Sequence, residues 1–289
     1  MKLNGRREST NVDDRRGMRS TAKMGGLGIG GLLIALLLTW ATGGNLGDFL
    51  GNTGLLEGNV TEQSADGQAF TPEEEELAKF SRQILAGTED VWTEEFKKLG
   101  RTYEPPKMVL YTGSVQTACG GGQSSMGPFY CSADQCLYID LSFFTSMKQQ
   151  LGADGDFAYA YVIAHEMGHH VEYLLGSLSK AHEQMSRMNQ KDANRVSVRL
   201  ELLADFYAGV WAYHDNKMFG SLEDGDLEEA IHCAQVIGDN YLQEKARGYS
   251  QPESFTHGTS KQRMKWLKLG LTTGDISRGT TFQCSDEEL

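Results

Sequence analysis

The run His165-Glu166-Met167-Gly168-His169 constrains the fold more than any other stretch of the sequence. It lies in a helical pattern from about Phe157 to Leu175, opened by Asp154-Gly155-Asp156 and followed by Gly176 as a C-cap. Four residues are slightly more than one helical turn, so both imidazoles leave the same face and can meet one metal ion. Glu166 projects about 100° round from His165, where its carboxylate can receive a proton from water beside that ion. With seven His and 22 Glu among 289 residues, a shuffled chain would contain this pattern roughly 0.01 times.

Two histidines do not complete a catalytic zinc site, which ordinarily takes three protein ligands and keeps one position for water. The fold must therefore bring a third donor from another element. A second helical stretch, about Arg195 to Tyr213, contains Glu201 and, one turn further on the same face, Asp205. If Glu201 is the third ligand, Asp205 is placed to accept a hydrogen bond from the far ring nitrogen of a ligand histidine, which fixes the tautomer. The competing reading of Glu201 is a solvated helix face. Against it, Leu202, Leu203, Phe206, Val210 and Trp211 make the helix apolar, and an acid on its buried side needs a partner. Glu172 faces roughly the same way as His169, but three ligands from one straight helix would crowd a tetrahedral site. The position six residues after His169, where a third histidine could stand, is Leu175. His170 points away from the ligand face and reads as a packing or hydrogen-bonding residue.

Charge divides the chain. Overall, 27 Lys+Arg against 39 Asp+Glu give −12, a balance that argues against a general nucleic-acid binder. Residues 1–23 nevertheless hold Lys2, Arg6, Arg7, Arg15, Arg16, Arg19 and Lys23 against Glu8, Asp13 and Asp14. No charge occurs from Met24 to Gly47, and the centre of that run is Leu-rich. Roughly 20 predominantly apolar residues suffice to cross a bilayer. The expectation is a basic cytoplasmic segment over 1–23, one transmembrane helix over 24–43, a flexible Gly/Asn/Thr/Ser-rich linker over 44–69, and a folded domain over 70–289. The positive-inside rule then puts the N-terminus in the cytoplasm and the body in the periplasm. The domain starts at Thr71-Pro72-Glu73-Glu74, with Thr as N-cap, Pro in the first turn, and acids that favour the helix dipole.

Cys119 and Cys131 flank the glycines at 120–122 and are the first candidates for a disulfide among Cys119, Cys131, Cys136, Cys233 and Cys284. Tyr138 to Phe144 reads as a strand, either one that holds an extended peptide by its edge or an ordinary core strand. His257, in a Gly/Thr/Ser-rich turn, either donates to a developing oxyanion, a part Tyr130 could also take, or braces its own loop. His182, His214 and His232 receive only a structural reading. Met185 and Met188 read as a packing face or lid.

The chain resembles the bacterial neutral zinc metallopeptidase family of membrane-anchored exported proteins. The likeness runs through Gly127-Pro128-Phe129-Tyr130-Cys131, Tyr138-Ile139-Asp140-Leu141, Ala160 to Val171 around the histidine motif, Val198 to Asp205 with Tyr207 to Trp211, and Ser254 to Ser260 with Gln262-Arg263. It implies one zinc ion held by His165, His169 and Glu201, with Glu166 as catalytic acid and base. It does not identify a substrate. Together these readings give a mainly helical α+β, zincin-like domain with a small β element, acting on protein or peptide substrates. The alternative is a zinc-stabilised scaffold without catalysis. The oligomeric state is not legible.

Overall fold

The computed structural model describes residues 1–18 and 70–289. Helices dominate, with one four-stranded sheet and one two-stranded ribbon, so the architecture is mainly helical α+β as expected. Thr71 caps helix α1 (Pro72–Lys98) by accepting the Glu74 N–H, while the Glu74 side chain accepts the Thr71 N–H. This reciprocal pair satisfies two amides that have no partner inside the helix.

The sheet has the order β1 (Val12–Asp14), β2 (Lys107–Tyr111), β6 (Cys136–Asp140), β5 (Phe129–Cys131). Its first three strands are parallel, and β5 runs antiparallel to β6. The glycines at 120–122 belong to β4 (Gly120–Gln123), paired with β3 (Ser114–Thr117). Cys119, at the tip of that ribbon, is joined to Cys131 of β5 by the disulfide the sequence suggested. Cys136, Cys233 and Cys284 carry free thiols.

The strand expected over Tyr138 to Phe144 is shorter at its far end and starts earlier. Asp140 ends it by accepting the Ser142 N–H at 3.0 Å and the Gly113 N–H at 2.8 Å. Helix α2 (Ser142–Leu151) follows, burying Phe144 and Met147 at helical spacing. β6 lies between β2 and β5, so it has no free edge and the core reading holds. The edge of the sheet beside the histidine helix is β5.

Helix α3 (Asp156–Leu175) carries the histidine motif and ends at Gly176 in the left-handed conformation. After α4 (Ser177–Met185), the long α5 (Gln190–Phe219) crosses α3, then α6 (Asp226–Val236), α7 (Asp239–Arg247) and α8 (Ser260–Thr273) close the bundle. Burying Phe157, Phe206, Trp211 and Leu267 between these helices removes large apolar surfaces from water, about 1.5–3 kcal/mol for a side chain such as Phe or Leu. Close approach depends on glycine. A Cβ on Gly168 would stand 2.8 Å from the Ala204 carbonyl oxygen and 2.9 Å from its Cα, so α3 and α5 touch backbone to backbone within the motif itself.

Residues 1–18 are part of the folded body. β1 pairs with β2, the Lys2 amide donates to the Ser221 carbonyl, and Gln83 donates to the carbonyls of Leu3 and Arg6. Arg6 pairs with Asp215 at 2.7 Å, Arg7 with Asp90 at 2.6 Å and Arg16 with Glu75 at 2.9 Å. The basic residues thus answer acids of α1 and α5. The Arg16 guanidinium lies 4.0 Å from the Phe70 ring centroid, so the facing ends of the two described segments meet. The expected anchor at 24–43 and linker at 44–69 lie outside the described residues. Among the described residues, no helix is long and apolar enough to cross a membrane.

Candidate metal centre

The site begins with the helical spacing in α3. His165 and His169 project together, their rings 4.9 Å apart, and the crossing at Gly168 and Ala204 brings Glu201 of α5 onto them. Each imidazole has its Nδ1 turned to a carboxylate, Asp205 Oδ1 at 2.8 Å from His165 and Glu172 Oε2 at 2.9 Å from His169. A carboxylate only accepts, so each Nδ1 donates to its carboxylate, and the lone pair of each Nε2 becomes available on the other side once its proton is displaced. Both Nε2 atoms meet Glu201, at 3.1 Å from Oε2 for His165 and 3.6 Å from Oε1 for His169. His165, His169 and Glu201 form a group that could hold a metal ion, with donor atoms all within 4.8 Å of one another. Two imidazole nitrogens and one carboxylate oxygen are the donor set that suits zinc.

The surroundings fix this geometry. Asp205 is fully buried and accepts from the Tyr161 hydroxyl at 2.5 Å and from Nε and Nη2 of Arg263, both at 2.8 Å. Burial alone would raise its pKa, but Arg263 and His165 hold it well below the usual carboxylate range. Burial opposes protonation of His165, yet the Asp205 charge and hydrogen bond, with Glu201 behind them, push it up to about 9. Burial likewise opposes the charge on Glu201, and His257 and His169 hold that carboxyl well below its ordinary value. A divalent cation would displace the protons that these carboxylates draw onto the rings.

Glu166 is buried, and burial raises its pKa while the charges of His169 and His165 offset part of the rise. The Tyr130 backbone N–H of β5 donates to its carboxylate. Glu172, weighed in the sequence as a crowded ligand, instead orients His169, and burial pushes its carboxyl up to about 7. His170 packs away from the centre as expected, between the Tyr130 hydroxyl at 2.8 Å and the Glu104 carbonyl at 2.7 Å.

His257 is at the centre and is also braced. Asp239 Oδ2 accepts the N–H groups of Thr256, His257 and Gly258 at 2.7, 2.7 and 3.0 Å. The ring then points Nδ1 towards Asp239 Oδ1 at 3.5 Å and Nε2 towards Glu201 Oε2 at 4.0 Å. Arg263, Tyr161 and Asp239 were not singled out in the sequence. Arg263 shares its helix with the exposed Lys261, Lys265 and Lys268, and among these four basic residues its side chain is the one turned inward, at 4% exposure. Asp239 left no signal, because its role comes from a loop distant in sequence.

A cavity of about 1170 Å³ opens onto this group, with β5 and the disulfide-tethered ribbon along it. Met185 and Met188, read as a packing face or lid, line the same cavity, as does His182, which received only a structural reading.

Residues 1–282 match the family described as "Putative neutral zinc metallopeptidase". The chain is similar to the uncharacterized protein YpfJ of Escherichia coli strain K12, 50% identical over 288 residues that cover 98% of this chain and 99% of the relative. It is also similar to the uncharacterized protein Mb2605 of Mycobacterium bovis, 40% identical over 201 residues, 66% of this chain and 67% of the relative. No solved structure matches the chain significantly.

Proposed function

The chain belongs to the neutral zinc metallopeptidase family, and on that premise we propose that it hydrolyses peptide bonds with one zinc ion held by His165, His169 and Glu201. The observation that supports this most directly is the convergence of both Nε2 atoms on Glu201 while both Nδ1 atoms are tied to carboxylates. These three residues would hold the ion, and the chemistry it would supply is Lewis-acid polarisation of the scissile carbonyl and a lowered pKa, towards about 7, for the attacking water. Glu166, whose carboxyl is desolvated, takes a proton from that water and delivers it to the leaving amine. The His257 imidazole, oriented by Asp239, donates to the oxygen on which charge develops. Asp205 and Glu172 keep the ligand rings in one tautomer. Apart from the Tyr130 N–H that Glu166 takes, the edge strand β5 offers its remaining main-chain groups to an extended substrate.

A zinc-stabilised scaffold would close its metal with four protein ligands. Among the described residues, the metal-competent group has three members, which favours the catalytic reading. Glu166→Gln should bind zinc as the wild type does and lose hydrolysis of peptides. Undiminished turnover in that variant would remove Glu166 from the mechanism.

For localisation, the proposal departs from the single-pass plan. Residues 1–18 and 70–289 share one compartment, because β1 and β2 are partners in one ladder and Arg6 pairs with Asp215 inside the body.

A further inference from the structure

The peptidase reading leaves the substrate open, and the cavity wall beside the centre narrows it. Four methionines, Met126, Met147, Met185 and Met188, line one continuous cavity with the catalytic group, together with aromatic and leucine side chains such as Phe143 and Leu200. They come from separate elements: the turn after β4, helix α2, the last residue of α4 and the turn before α5. Their exposure ranges from 2% for Met147 to 44% for Met188, so the wall combines packed with accessible methionine.

Charge is scarce on this wall. Beyond the centre and its histidines, the cationic side chains that reach the cavity are Lys245 and Arg263. Arg263 is committed to Asp205, and the Lys245 ammonium donates to the Gln150 carbonyl at 2.6 Å. No carboxylate outside the centre lines the cavity among the described residues. A wall without charge selection reads a substrate by its apolar surface. Methionine is unbranched and has three rotatable bonds, so such a wall re-forms around side chains of different shape.

We propose that the substrates are extended polypeptide segments with bulky apolar residues flanking the scissile bond, accepted without a fixed sequence, with Met185 and Met188 as specificity-determining residues. This rests on the peptidase reading. The apolar residues leave water against the methionines while the main chain runs along β5. Folded proteins bury such segments, so the segments become available on unfolding or in flexible chains.

The test compares two ten-residue peptides, one carrying Leu, Phe and Met around its centre and one carrying Ser, Asn and Thr there. The zinc-loaded wild type should cleave the apolar peptide with kcat/KM at least tenfold higher. In Met185→Gln/Met188→Gln, which keeps side-chain length and helix propensity, that ratio should fall to twofold or less, through KM on the apolar peptide. Equal cleavage of both peptides by the wild type, or a ratio unchanged in the variant, would overturn the proposal. Should the wild type cleave neither peptide, binding to the Glu166→Gln protein by fluorescence anisotropy separates the two claims. Tighter binding of the apolar peptide there keeps the groove assignment and removes the peptidase reading, whereas equal binding removes the groove assignment.

Discussion

Replacing Gly168 by alanine tests the helix crossing on which the whole centre depends. An added Cβ would lie 2.8 Å from the Ala204 carbonyl oxygen and 2.9 Å from its Cα, both backbone atoms that no rotamer change can move. Ordinary carbon contacts are about 3.5–4.0 Å, so the two helices must part by roughly 0.7 Å. Glu201 sits one turn before Ala204 on one helix, and the two histidines flank Gly168 on the other. Metal–ligand distances tolerate only about 0.2 Å. Two effects on stability then compete. Alanine improves helix propensity by about 0.5–1 kcal/mol over glycine, while overpacking costs about 1–3 kcal/mol. The second should win, giving a net loss of up to about 2.5 kcal/mol. Zinc affinity should fall at least tenfold, about 1.4 kcal/mol. Thermal denaturation in excess chelator reads the first quantity, and competition with a chromophoric zinc chelator reads the second. A variant that melts higher than the wild type and binds zinc equally well would refute the claim that these backbones touch.

Three further outcomes follow from the same geometry. Asp205→Ala leaves the Arg263 guanidinium buried without its partner and should cost about 3–5 kcal/mol in chemical denaturation, whereas a loss under 1 kcal/mol would contradict the buried network. Glu172→Ala frees the His169 ring and should weaken zinc binding about 10–100-fold; unchanged affinity in the chelator competition would show that the orienting bond is dispensable. For compartment, single cysteines at the exposed positions Asn4 and Lys261, in a Cys136→Ser/Cys284→Ser background, should react alike with a membrane-impermeant maleimide in intact cells. Labelling of one and protection of the other would overturn the shared-compartment proposal.

The centre was readable where local spacing alone decides geometry. Two histidines four apart on a helix must share a face, and an acid pair four apart on an apolar helix must find partners, so His165, His169, Glu201 and Asp205 were all accessible to periodicity. Gly176 and Thr71 marked helix ends through backbone preferences that need no tertiary context. What was not legible needed long-range information. The basic residues near the N-terminus look like a cytoplasmic flank when only neighbours in sequence are counted, but Asp90 and Asp215, their partners, are 83 and 209 residues away. Leu141 to Phe144 has strand-like composition, and Asp140 turns the chain into a helix there by accepting the Ser142 amide. Arg263 shares a basic helix with solvent-facing lysines and is distinguished only by what it meets inside.

The most direct test of the account is X-ray absorption at the zinc edge on the stoichiometrically loaded protein, repeated with Glu201→Gln. The account predicts two nitrogen ligands at about 2.0–2.1 Å with oxygen at about 2.0–2.2 Å and no sulfur, and a weakened or altered site in the variant. A sulfur ligand, or a spectrum and affinity indifferent to Glu201→Gln, would contradict it.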